Sequence, residues 1–79
     1  MLTKYIQAAM HHAHYEILGD GTFYAEISGF DGLWANADTL EECREELQEV
    51  LEGWLLLKIA DHDHLPVVDG LNLVIQEAA

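Results

Sequence analysis

Three features of the sequence predict an α+β fold in which one long helix covers a face of a small antiparallel sheet. Two β-rich alternating runs are joined by Gly19-Asp20-Gly21, a capping sequence sits at Thr39, and an apolar stripe at helical spacing follows it. Ahead of the strands, Leu2, Tyr5, Ile6, Ala9 and Met10 recur at helical spacing in a stretch without Gly or Pro. They predict an N-terminal amphipathic helix ending near His11.

Residues 14–18 and 22–28 alternate in the manner of strands, and the Gly-Asp-Gly between them is a tight-turn signal, so a hairpin is predicted. Side chains alternate across a strand, which places Phe23, Ala25 and Ile27 toward the core and Tyr24, Glu26 and Ser28 on the opposite face. Gly29 and Gly32 bracket Phe30 and Asp31, and residues 33–37 then form a third, antiparallel strand. The spacing of Thr39 and Glu42 is that of a capping box, which starts the long helix at Leu40.

Along that helix Leu40, Cys43, Leu47, Val50, Leu51, Trp54 and Leu57 form the apolar stripe, leaving Glu41, Glu45, Glu46, Glu49 and Glu52 to water. The polar run Asp61-His62-Asp63-His64 and then Pro66 end the helix by about His62. Because Trp54-Leu55-Leu56-Leu57 is apolar all round, Leu55 and Leu56 are expected at an oligomer interface or a partner contact. Residues 71–75 read as a short last strand or an extended arm.

Seventy-nine residues make one domain, spanning 1–79, of a size at which a lone core is marginal and association commonly helps. A homodimer or larger homo-oligomer is therefore expected. Three Lys and Arg against fifteen Asp and Glu give a net charge of −12, which repels phosphate backbones and anionic lipid. Direct nucleic-acid binding and membrane association are not expected; the acidity either keeps a small oligomer soluble or attracts a basic partner. A single cysteine forms no intramolecular disulfide, and the start of the chain has no basic leader, so a reducing cytoplasm fits. Cys43, on the apolar stripe, reads as a small buried hydrophobe.

In order, the hairpin, the Phe30-Asp31-Gly32 turn, the third strand, Asp38-Thr39-Leu40-Glu41-Glu42 opening a helix that runs through Trp54-Leu55, and the following Leu65-Pro66-Val67-Val68-Asp69-Gly70-Leu71 resemble the HicB antitoxins. The resemblance covers about residues 15–73. It implies a partial ribonuclease-H-like fold, without catalysis, and a partner: a small basic HicA-type ribonuclease toxin whose active surface the antitoxin covers. HicB proteins often begin directly with a strand, so the N-terminal helix is an extra or a subfamily feature. Many carry a C-terminal helix-turn-helix or ribbon-helix-helix region, whereas nothing after Leu71 is long or basic enough for one, and autoregulation by this chain alone is not expected. Ser28 and Asp31 stand where the family frequently has prolines, so the geometry of this turn does not carry over.

Aromatic residues interspersed with acids compose interface hot spots, the aromatic supplying area and the acid selecting a basic partner. On that basis Glu26, Phe30, Asp31 and Trp34 are the expected partner-binding residues, the alternative for the two aromatics being completion of the core. His12, His14, His62 and His64, with Asp61 and Asp63 beside the second pair, are the candidate metal ligands, although their spacing matches no strong zinc signature. Ser28 is the only serine and no nucleophile elbow exists, so neither catalytic residues nor a cofactor are expected. Two further readings stand beside the antitoxin: a histidine-based metal-binding protein or small-molecule enzyme, and a stand-alone structural oligomer.

Overall fold

A computed structural model describes residues 2–61 and 63–70. The chain runs α1 (Leu2–His11), β1 (Ala13–Ile17), β2 (Phe23–Ile27), β3 (Trp34–Ala37) and α2 (Leu40–Ala60). The three strands form one antiparallel sheet in the order β1-β2-β3. This is the predicted α+β arrangement; the strand or arm expected over 71–75 lies outside the described residues.

The hairpin is closed by its own turn chemistry. Leu18 N–H donates to the Thr22 carbonyl at 2.8 Å, and the Asp20 carboxylate accepts both the Thr22 hydroxyl (2.6 Å) and the Thr22 N–H (3.0 Å). Those bonds, the hydroxyl's first, hold the Asp20 carboxyl below its ordinary value. The resulting register sets Ala13, Tyr15 and Ile17 opposite Ile27, Ala25 and Phe23. Ala25, Ile27 and Ala35 are buried beneath α2 as the alternation requires.

Thr39 caps α2 in an extended conformation, its hydroxyl accepting the Glu42 N–H at 3.1 Å. The buried row is Cys43, Leu47, Leu51 and Leu55, a strict four-residue repeat. That corrects the expected stripe: Leu40, Val50 and Leu57 are exposed, and Leu55, expected at an interface, is only 2 % exposed. At 3.6 residues per turn each four-residue step advances about 40° around the axis, so the row winds as the helix crosses a twisted sheet. The helix ends at Ala60, inside the predicted limit of about His62, with the Asp61 N–H donating to the Leu57 carbonyl at 3.0 Å.

α1 contributes Tyr5, Ala9 and Met10 to the same core. The Tyr5 ring meets Phe30 edge-on with centroids 6.4 Å apart, and its hydroxyl donates to the Pro66 carbonyl, tying the segment after α2 back to α1. Val68 closes that end of the core, and His12 meets the Asp69 carboxylate at 2.7 Å. Among the described residues no helix is long and apolar enough to cross a membrane.

Leu47→Ala or Leu51→Ala removes a fully buried side chain from the α2 row and is expected to cost about 2–5 kcal/mol in urea unfolding. Burial raises the Cys43 thiol above its ordinary 9.0 and the Tyr5 phenol above 10.0. The native state thus keeps protons that the unfolded chain releases, so this contribution is complete below the ordinary values and is lost as pH rises through the raised ones. The melting temperature is expected to fall as pH is taken above 9.0. A thiol reagent should leave Cys43 unmodified until the chain unfolds.

Candidate functional site

α2 covers one face of the sheet; the other carries His14 and Glu16 from β1, Tyr24 and Glu26 from β2, and Trp34 and Asn36 from β3. All but the half-buried Tyr24 are exposed, Trp34 at 55 %. Trp34 lies opposite Glu26 in the β2-β3 register, and its indole stacks on Tyr24 with centroids 6.1 Å apart and planes 22° from parallel. The Tyr24 hydroxyl donates to the Glu26 carboxylate at 3.1 Å. Desolvation first, then that bond and the charges of Glu26 and Glu16, raise the Tyr24 phenol above its ordinary value, so it remains a donor.

The turn between β2 and β3 borders this pair. The Phe30 N–H donates to the Ile27 carbonyl and the Leu33 N–H to the Phe30 carbonyl, each at 3.2 Å, making two consecutive turns. Each has glycine at its third position, Gly29 at φ +89° and Gly32 at φ +76°, a conformation that residues with a Cβ resist. The double reversal drives the Phe30 ring inward against Trp54, centroids 5.0 Å apart, while the Trp54 indole N–H donates to the Asp31 carbonyl at 3.3 Å. The turn is therefore held from below by α2. It leaves a shallow depression whose lining includes His14, Tyr24, Glu26, Asp31 and Trp34.

Glu26, Asp31 and Trp34, three of the four residues expected to bind a partner, thus come together at one depression. Phe30 does not present its ring there: it is 4 % exposed and belongs to the core. For Phe30 the alternative reading, completion of the core, is the one the structure shows, because the paired turns point the ring inward. Tyr24 is the residue missing from the expected set; its signal was the alternation that already placed it on the Glu26 face. Of the two expected interface leucines Leu55 is buried, whereas Leu56 is exposed at the far end of α2.

Among the described residues the candidate histidines do not gather. His12 precedes β1 in a turn and meets Asp69, His14 lies on the outer face of β1, His64 is exposed, and His62 lies outside the described residues. Among the described residues no group of three or more His, Cys, Asp and Glu is placed to hold a metal ion. What the depression offers instead is recognition: a stacked aromatic pair beside carboxylates suits a cationic side chain, which gains from both the ring faces and the acids.

This is the geometry of a small α+β domain in which, among the described residues, one face of the sheet is closed by a helix and the other is open. Residues 4–66 match the UPF0150-like family, and the chain belongs to that family, which is associated with HicB-like antitoxins. The crystal structure of TTHA0281 from Thermus thermophilus is similar, with 34 % sequence identity over 96 % of this chain and 95 % of that one and a TM-score of 0.90. No curated protein matches. Most of α1 lies within the matched residues, as a subfamily feature would.

Replacing the two aromatics separates anchor from surface. Phe30→Ala is expected to cost about 3–5 kcal/mol of unfolding free energy. Trp34→Ala, removing an exposed indole, should cost no more than about 1 kcal/mol for the lost stack. Equal losses in denaturant titrations would overturn this division.

Proposed function

We propose that this chain is an antitoxin-like binding protein without enzymatic activity, working in the cytoplasm as a homo-oligomer. Its partner is a small basic ribonuclease of the HicA type, which it silences by covering the active surface. The observation that carries this reading is the open sheet face, where the stacked Tyr24 and Trp34 lie beside Glu26 and Asp31. Membership of the UPF0150-like family is compatible with it.

The chemistry divides between approach and hold. The net charge of −12 draws a basic protein in at long range, and the aromatic pair slows its departure once lysine or arginine side chains occupy the depression. His12, already engaged by Asp69, lends no support to the histidine-based alternative.

The test is binding and growth rescue with the toxin encoded beside this gene. Wild type should bind and restore growth. The pair Trp34→Ala and Asp31→Lys should abolish both, because losing a central aromatic anchor costs on the order of 2 kcal/mol or more and reversing an acid repels a basic partner. Circular dichroism should be unchanged, since both side chains are exposed. Full rescue by the folded variant would remove this face from the contact, and a wild type that binds no neighbouring basic toxin would overturn the reading.

A further inference from the structure

Strand register fixes which face of the Trp34 indole is turned to the depression. Tyr24 pairs with Asn36 and Glu26 with Trp34, so the Tyr24 ring stacks on the indole from the Asn36 side. The other indole face is turned toward the connection between β2 and β3, and Trp34 lines one hollow together with Asp31 and Gly32 of that turn. The wall opposite the indole is a fixed one, because the Asp31 carbonyl is fastened to the Trp54 indole N–H at 3.3 Å.

Two carboxylates reach the same hollow. Glu26 stands between His14 on β1 and Trp34 on β3, and it accepts the Tyr24 hydroxyl through Oε2. That bond holds the carboxylate against the aromatic pair and does not use Oε1. Asp31 brings the second carboxylate from the turn.

We infer that the cation this hollow takes is the guanidinium of an arginine on a protein partner, laid flat on the turn-side face of Trp34 with its N–H groups donating to Glu26 and Asp31. The inference rests on the reading of this face as the contact for a basic protein. The net charge of −12 favours any cation at long range and does not tell arginine from lysine. The flat wall does. A guanidinium is planar, delocalised and weakly hydrated, so it gains from a ring face while its edge donates in a fork to carboxylates. A lysine ammonium is a compact, strongly hydrated point charge, and a flat wall offers it less. Since Tyr24 already holds the indole in its stack, little ordering is left to be done when the arginine arrives.

The test titrates N-acetyl-arginine amide, N-acetyl-lysine amide and N-acetyl-citrulline amide into the full chain at one ionic strength, following the backbone amide signals of residues 28–34 by NMR. The arginine amide should shift these signals, with the lysine amide binding about tenfold more weakly. Citrulline keeps the planar shape without the charge and should also lose about tenfold. Trp34→Ala should abolish the response, Trp34→Phe should keep the preference because it keeps a ring face, and Glu26→Gln should weaken arginine binding about tenfold. Equal affinity for arginine and lysine, citrulline matching arginine, an arginine response that persists in folded Trp34→Ala, or none in the full chain would overturn the inference. The probes need no toxin, so a wild type that rescues growth yet shows no preference for arginine overturns this inference and leaves the antitoxin reading standing.

Discussion

The width of a single helix governs this fold. An α-helix with its side chains is about 10 Å across, whereas neighbouring strands lie about 4.8 Å apart, so one helix covers two strands and not three. The row Cys43, Leu47, Leu51 and Leu55 is spent on β2 and β3. The third strand is left in the sheet but outside the shelter of α2. α1 then closes one end of the core with Tyr5, and the segment around Pro66 and Val68 is drawn in to complete it.

Features set by neighbours in the chain were legible in the sequence. The Gly19-Asp20-Gly21 turn, the strand alternation and the Thr39 cap depend on a few adjacent residues, and the structure has them where the sequence predicts. Features set by distant packing were less so. Both a three-and-four stripe and a strict four-residue row fit the composition of α2, and only the sheet it crosses selects the second. Between partner contact and core, the sequence left Phe30 open because its inward turn depends on two glycine conformations and on Trp54, which lies 24 residues further along.

The site followed the same division. Alternation alone places Glu26 and Tyr24 on one face, and strand pairing adds Trp34 opposite Glu26. Asp31 joins them because its carbonyl is fastened to Trp54, a contact no local pattern encodes. The acids themselves have two roles. Glu41, Glu45, Glu46, Glu49 and Glu52 on α2 are solvated and act through their summed field, while Glu26 is hydrogen-bonded into the aromatic pair.

The two tryptophans stand on opposite sides of the same turn, and this gives the molecule a pair of built-in optical reporters. Trp34, on the open face, emits from a largely aqueous environment and changes when something settles on Tyr24. Trp54, packed on Phe30 with the Lys58 ammonium 5.3 Å from its ring, emits from a drier one and changes when α2 parts from the turn. With one indole replaced at a time by phenylalanine, emission colour tells occupancy of the sheet face apart from loosening of the core beneath it.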